Sequence, residues 1–273
     1  MRQRNVQGFT LAEMSIVLVI TGLVIMIVYP ALTVFRQSLQ QTTTQTNLNG
    51  LMRATAAFVQ AHGCLPCPTP ASALSTGFGF VRGDGTGAAC ATCSVPEGIV
   101  PFASMGLAQS MAKDGWSRWI TMRIDPALAI NFDVIPPTLP NATGTPLCPQ
   151  NISCLGLCQA NLPNSNRISV LTQGGGKQEA AVLFISHGKN GYGAYYADPV
   201  MNTGSNAHPI YRGSSTACSD TGGYERCNAD GDRNFVQGAF TNDPTAPFDD
   251  IVLFADRNTM VSYLGNPACQ TEW

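Results

Sequence analysis

The fold is decided by residues 9–29, FTLAEMSIVLVITGLVIMIVY, an apolar run that carries one formally charged side chain, Glu13. At about 1.5 Å per residue, a helix of this length covers about 31 Å, close to the hydrocarbon thickness of a bilayer. An ionised group at membrane depth costs about 2.5 to 3.5 kcal/mol, so such residues are usually paired or functional. The run therefore predicts a membrane-spanning helix whose carboxylate needs a partner.

The flanks of this run predict its orientation. Arg2 and Arg4 precede it, and the positive-inside rule keeps a basic end in the cytoplasm. A cleaved secretory signal would need small residues just after the apolar run, where Tyr29 and Pro30 stand instead. We expect a single membrane pass, with the N-terminus cytoplasmic and the chain after Pro30 on the outer side of the membrane.

Residues 7–24, QGFTLAEMSIVLVITGLV, join a basic leader ending in Gly8 to the aromatic Phe9, a glutamate four residues later and an uninterrupted apolar run. This segment resembles the N-terminus of type IV pilins and of the pseudopilins of type II secretion. The resemblance implies that prepilin peptidase cuts between Gly8 and Phe9 and methylates the new amine. It also implies other pilin or pseudopilin subunits, the inner-membrane assembly platform and the membrane as partners.

The same resemblance supplies a partner for Glu13. The Phe9 amine stays cationic after methylation and lies one helical turn away, because residues i and i+4 share a helix face. The pair can form within one chain or, as in the family's filaments, with a neighbouring subunit. Pro30 matches a proline that often kinks pilin helices. Since ALTVFRQSLQQ after it still has a helical pattern, we expect a kink rather than a helix stop.

A second apolar stripe, at helical spacing from Leu48 to Ala61, predicts that the helix continues and packs on the head until about His62. Residues 40–50 contain weak helix formers, which fits either a solvated face or a segment that melts in a filament. We therefore divide the chain into a leader (1–8), a transmembrane assembly helix (9–30), an amphipathic helix (31–62) and a globular head (63–273).

The head has the composition of short strands and many turns. The 273 residues include 27 Gly and 18 Pro, and 44% are hydrophobic. Lys and Arg total 15 against 17 Asp and Glu, without a basic cluster, which argues against nucleic-acid binding. Strands are predicted at 116–124, 167–172, 179–187 and 248–254, helices at 103–113 and 257–264, and a tight hairpin turn at Asn190-Gly191. The prediction is an α+β, pilin-like fold, with the long N-terminal helix packed on an antiparallel sheet and disulfide-rich loops.

Four head segments resemble a group of large pilin-like proteins of proteobacteria: LPCP (65–68), VPFASMGL (100–107), ISHGKNG (185–191) and FDDIVLF (248–254). That group tends to have an Asp-Ala-Trp-Gly turn where this chain has KDGWSR, beginning at Lys113. A head of this size is large for a repeating major subunit, so we expect a minor subunit acting at initiation or at the tip. The alternatives are a minor pseudopilin of type II secretion and a tip adhesin or ligand-binding protein.

Ten cysteines require an explanation, and four of them form CxxC pairs at 64/67 and 90/93. This pattern fits a zinc site in the cytosol, but export to an oxidising compartment favours disulfides. Proximity favours bridges between the two CxxC pairs and between Cys218 and Cys227. The disulfide candidates are Cys64, Cys67, Cys90, Cys93, Cys148, Cys154, Cys158, Cys218, Cys227 and Cys269.

An acidic turn, NADGDRN, places Asp230, Asp232 and Asn234 at alternate positions, as in calcium loops. Asp249 and Asp250 are further candidate ligands for Ca²⁺, although the bidentate glutamate of an EF-hand is missing. A solvated acidic turn explains the same pattern without a cation, and no other cofactor is expected.

No catalytic constellation is predicted. Ser186 and His187 are adjacent in a strand, so their side chains point to opposite faces. The GGGK segment ending at Lys177 lacks the spacing and the Ser/Thr of a phosphate-binding loop. We expect a structural subunit and not an enzyme.

Overall fold

The structure, a computed structural model, describes residues 11–62, 64–71, 77–83, 93–129, 167–172, 175–195, 224–241, 248–256 and 259–260. Its first element is helix α1, Leu11–His62, which contributes to two compact units, residues 1–42 and 43–273. The remaining short helices are α2, Tyr224–Cys227, and three 3-10 helices at Val81–Gly83, Gln109–Ala112 and Pro126–Leu128.

In the first unit, the described part of α1 has no buried side chain. Its apolar residues are exposed on every side, and it is the one described helix long and apolar enough to cross a membrane. The helix continues through Pro30 without a break in its assignment. The hydroxyls of Ser15, Thr21 and Thr33 donate to carbonyls three or four residues earlier. These three hydroxyls are thereby satisfied within the helix, as a bilayer requires.

In the second unit, α1 has one buried face, as the apolar stripe predicts. Leu48, Leu51 and Val59 are fully buried in the main core together with Met122 and Phe184 from the sheet. Burying such a side chain is worth about 1.5 to 3 kcal/mol relative to leaving it exposed. This half of the helix is therefore held by packing.

The polar stretch at 40–50 is helical throughout. Thr44 is buried and its Oγ1 accepts from Gly115 N at 2.9 Å, while Asn47 Nδ2 donates to Lys113 O at 2.7 Å. These contacts fix the segment to the loop at 110–115, so part of the stretch is more than a solvated face. Whether it melts in a filament stays a prediction.

The main sheet has four strands, all antiparallel, in the order β1-β2-β5-β7. The strands of this sheet are β1 (Glu97–Ile99), β2 (Thr121–Ile124), β5 (Val182–Ser186) and β7 (Ile251–Ala255). Strand β5 is buried along its whole length, as its continuous apolar sequence VLFIS requires. The predicted antiparallel sheet with a long helix against it is confirmed.

A second sheet was not predicted. It consists of β4 (Lys177–Ala180), β3 (Ile168–Thr172) and β6 (Asn234–Gln237), in that order, with β3 and β4 antiparallel but β3 and β6 parallel. The predicted strand at 179–187 is in fact two strands, because the chain breaks at Ala181 and passes from one sheet to the other. Ala181 N donates to Ala255 O, and Ala181 O accepts from Asp125 N, both at 2.9 Å or less.

The predicted helix from Ala103 to Lys113 is wrong. Gly106, at φ 68°, ends a turn in which Leu107 N donates to Phe102 O, and only Gln109–Ala112 forms a 3-10 helix. Phe102 stacks on the buried Trp119, with ring centroids 5.8 Å apart. Local packing of the aromatic ring therefore overrides the helical pattern of this segment.

The Asn190-Gly191 pair lies in a turn, but the turn does not form the predicted hairpin. Gly191 N donates to His187 O, yet β5 pairs with β2 and β7 and not with the chain that follows the turn. That following chain instead reaches Trp119 through a bridge at Tyr195. The predicted helix at 257–264 lies mostly outside the described residues, of which 259–260 are helical.

Cys67 and Cys93 form a disulfide that joins the two CxxC segments. Cys64 and Cys227 are disulfide-bonded as well. Three of the four CxxC cysteines, Cys64, Cys67 and Cys93, are therefore oxidised. A zinc site at the CxxC pairs would need four thiolates, so the structure is incompatible with one. The predicted pairing between the two segments therefore holds for this bridge, and the other predicted cysteines lie outside the described residues.

Candidate functional site

Several of the buried polar side chains in the described part of the head lie at one edge of the main sheet. In an antiparallel sheet the end of one strand lies beside the starts of its two neighbours, so the end of β5 meets the starts of β2 and β7. Ser186 and His187 lie at the end of β5, Thr121 at the start of β2, and Asp250 just before β7; all four are buried. Topology therefore brings distant segments of sequence to one place.

Asp114 ties the loop before β2 to this edge. Its Oδ2 accepts from Ser186 Oγ at 2.8 Å, and its Oδ1 accepts from the amides of Trp116 and Arg118, each at 2.9 Å. Burial raises the pKa of Asp114 above its ordinary value of 3.8, against the lowering effect of these hydrogen bonds and of the Arg118 charge.

Arg118 holds the turn that follows β5. Its guanidinium donates to Gly188 O and to Lys189 O. Two glycines make this approach possible, because Gly188 and Gly191 both have positive φ and their Cα atoms lie against Asp249 and Arg118, where a Cβ would collide. The KDGWSR turn is thus fixed to the ISHGKNG segment.

Three carboxylates meet beside this turn. Glu225 of α2, Asp249 and Asp250 each place an oxygen within 4.8 Å of the other two. Asn190 Nδ2 donates to both carboxylate oxygens of Glu225, at 2.8 and 3.0 Å, and Asn190 N donates to Asp249 Oδ2 at 2.8 Å. Burial raises the pKa of Glu225, and the Asp249 charge raises it further.

The side chain of Asp250 has no exposed surface. Its Oδ2 accepts from Asn228 Nδ2 at 2.8 Å, and Asn228 in turn holds β6 through Val236 N and Val236 O. Its Oδ1 has no hydrogen-bond donor and lies 3.8 Å from His187 Nδ1. Burial, then the nearby charges of Glu225 and Asp249, raise the pKa of Asp250 well above its ordinary value.

The five predicted calcium ligands do not form one group. Asp249 and Asp250 lie together with Glu225, but Asp230 and Asp232 lie outside that group. The latter two shape their own turn, in which Asp232 N donates to Asp230 Oδ1 and the amide of Asn234 donates to Asp232 Oδ1. Glu225 was missed because no local spacing links it to Asp249, 24 residues later.

Thr121, His187 and Asp250 are arranged like a nucleophile, a base and an acid. Thr121 Oγ1 lies 3.1 Å from His187 Nε2, and His187 Nδ1 lies 3.8 Å from Asp250 Oδ1. Thr121 has no exposed surface, however, and its strand is hydrogen-bonded on both sides. A nucleophile must reach its substrate, so this buried arrangement serves as packing and not as an active site.

The N-terminal segment matches a known protein family. Residues 3–29 match the family described as the prokaryotic N-terminal methylation motif. The chain carries a prepilin signature. It is the signature of type IV pilins and pseudopilins, and it supports a pilin-like precursor. No curated protein and no solved structure is significantly similar to the chain.

The prepilin signature implies processing by prepilin peptidase and assembly with other pilin subunits, and with the apolar helix it indicates membrane anchoring. A pilin-like subunit of this family is a structural protein. Glu13 lies in the first turn of α1 and is exposed, and Pro30 lies inside the helix. The processing residues Gly8 and Phe9 lie outside the described residues, so the proposed pairing of Glu13 with the Phe9 amine stays a prediction.

Proposed function

We propose that this chain is a low-abundance subunit of a type IV pilus or a related secretion filament, acting at filament initiation or at the tip. The observation that carries the proposal is the prepilin signature at residues 3–29, which includes the start of α1, where the apolar side chains are exposed. In this function the helix first holds the precursor in the inner membrane and then packs among the helices of other subunits.

The character of the head supports a minor role. The second unit, residues 43–273, has two sheets and several disulfide-bonded segments. A repeating major subunit must pack closely against neighbours on all sides, which a large head hinders. The precursor would lie with its N-terminus in the cytoplasm and its head in the periplasm, where the oxidising environment maintains the disulfides.

Mass spectrometry of the chain isolated from its native host tests the proposal. We expect a mature chain that begins with N-methylated Phe9 and lacks residues 1–8. A Gly8→Val variant should remain at full length, and a Gln7→Ala variant is the matched control that should still be processed. A wild-type chain that keeps its leader would contradict the proposal.

Filament association is the second measurement. Sheared filaments from cells that produce the wild-type chain should contain it in small amounts relative to the major subunit. Deletion of the chain should reduce filament number if it acts at initiation. Its detection as the main filament component, or its complete absence from filaments, would contradict a minor-subunit role.

A further inference from the structure

We propose that Glu225, Asp249 and Asp250 bind one Ca²⁺ in the head. The inference goes beyond the filament function and does not depend on it. It also differs from the sequence-based prediction, because it replaces the acidic turn at 230–234 with a group assembled from α2 and the segment before β7.

The spacing of the carboxylates fits a single ion. Oxygens bound to Ca²⁺ lie about 2.3 to 2.6 Å from it, so any two of them are at most about 5 Å apart. One oxygen from each of Glu225, Asp249 and Asp250 lies within 4.8 Å of the others. One cation can therefore contact all three without rearrangement of the backbone.

Unsatisfied acceptors are the second, independent observation. Asp249 Oδ1 and Asp250 Oδ1 are both buried, and neither accepts a hydrogen bond. The Asp250 side chain has 0% exposure, so water does not reach it from the surface. A buried acceptor without a partner is costly, and a buried carboxylate without one is more so. A cation held at these oxygens removes that cost.

The other oxygens of the group are already held in place. The Asn190 side chain and the amide of Asp249 donate to the Glu225 carboxylate. The amide of Asn190 donates to Asp249 Oδ2. The Asn228 side chain donates to Asp250 Oδ2. These donors orient the carboxylates and leave one oxygen of each aspartate available. The site is thus ordered before the ion binds, which is how outer hydrogen bonds support metal ligands.

The chemistry of the ligands selects the ion. Three carboxylates are hard oxygen donors, which suit Ca²⁺ or Mg²⁺ better than Zn²⁺. Mg²⁺ usually keeps several of its waters and is seldom enclosed by protein ligands alone, whereas Ca²⁺ accepts irregular sets of protein oxygens. The group consists of three protein carboxylates on buried or half-buried residues, so it favours Ca²⁺.

Equilibrium dialysis of the oxidised full-length chain in detergent against ⁴⁵Ca²⁺ tests the proposal. We expect one Ca²⁺ per chain at about 1 mM free calcium, in the range of extracellular sites. The Asp250→Asn and Glu225→Gln variants should each bind at least about tenfold more weakly, since ligand charge sets affinity. Asp232→Asn, in the neighbouring acidic turn, is the matched control and should bind as the wild type does.

Thermal unfolding followed by circular dichroism gives a second measurement. Calcium should raise the Tm of the wild type and of Asp232→Asn, and have little effect on Glu225→Gln, which provides a test even if Asp250→Asn fails to fold. The proposal is overturned if dialysis finds no bound calcium, if the cluster variants bind as tightly as the wild type, or if Asp232→Asn alone loses binding. None of these outcomes bears on prepilin processing, so the proposed function is tested separately.

Discussion

Glu13 is the one formally charged side chain between Phe9 and Tyr29, and its position defines its proposed partner. A nearby cation strongly stabilises an ionised carboxylate at membrane depth, because water is not available there to solvate either charge. Cleavage after Gly8 would create such a cation one helical turn away. In the proposed function, this single residue would link proteolytic processing to the register of subunits in a filament.

Replacing Glu13 with Ala should leave processing intact but reduce incorporation into filaments by about tenfold or more. The expected cause is an amine left unpaired at membrane depth, at a cost of about 2.5 to 3.5 kcal/mol. Immunoblots of sheared filaments and mass spectrometry of the N-terminus measure the two effects. Ser15→Ala is the control, because its hydroxyl bonds only to its own helix. Normal incorporation of Glu13→Ala would rule out the pairing role.

Gly188→Ala should destabilise the head more than Gly106→Ala. Both glycines have positive φ, which costs about 1 to 2 kcal/mol for an L-residue. Only at Gly188 would the new Cβ also collide with the carbonyl oxygen and carboxylate of Asp249. The difference in Tm between the two variants, measured by circular dichroism, isolates that collision. Equal Tm values would show that the turn adjusts at no cost.

The pH dependence of stability should contain a contribution from Asp114. Burial raises its pKa above 3.8 in the folded chain, so the folded state holds a proton more tightly than the unfolded state does. This contribution stabilises the fold fully below about pH 4 and is lost as pH rises through the folded-state pKa.

Between about pH 4 and the folded-state pKa of Asp114, the Tm of the Asp114→Asn variant should fall less steeply with rising pH than the Tm of the wild type. The reason is that an amide does not titrate. Fluorescence of the buried Trp119 can follow the unfolding of both proteins at each pH. An unchanged slope in the variant would show that Asp114 does not contribute.

At the scale of elements, α1 shows how one helix serves two environments. Its apolar run ends at Tyr29, and no described side chain of α1 is buried before Thr44, from where one face packs in the head core. The two patterns are readable from the sequence because each has a distinct periodicity. The short helix and the hairpin were predicted wrongly, since packing around Trp119 and pairing in the sheet outweigh local preferences.

The disulfide between Cys67 and Cys93 should contribute about 3.5 kcal/mol to the stability of the head, from its sequence separation of 26 and the chain-entropy relation. The double variant Cys67→Ser/Cys93→Ser avoids leaving an odd thiol. Its free energy of unfolding, measured with denaturant on the oxidised protein, should fall by that amount. A loss below about 1 kcal/mol would show that other constraints already order these segments.

At the scale of the whole molecule, the main polar site exists only after the sheet has formed. Asp114, Ser186, Glu225 and Asp250 come from four separate segments and meet at one sheet edge. Two of these segments, ISHGKNG and FDDIVLF, are among those that resemble large pilin-like heads. The sequence offered no reason to place them together, because contacts over such separations depend on strand order.

Removal of residues 1–42 should yield a soluble head that still unfolds cooperatively. The first buried residue in the described part of α1 is Thr44, so this truncation leaves the core of the second unit complete. Size-exclusion chromatography and thermal unfolding in detergent-free buffer measure the outcome. Aggregation of the fragment under oxidising conditions would show that the head needs its N-terminal helix in order to fold.

The sequence alone determined the prepilin signature, the long apolar helix and its buried continuation, and it indicated a bridge between the CxxC segments without fixing which cysteines form it. These features depend on local periodicity or on neighbours in the chain, which a sequence displays directly. Only the tertiary structure decided the second sheet with its parallel pair, the inclusion of Glu225 with Asp249 and Asp250, and the burial of Thr121 and His187. Strand order and the burial of charge result from the packing of the whole head, and no local pattern contains them.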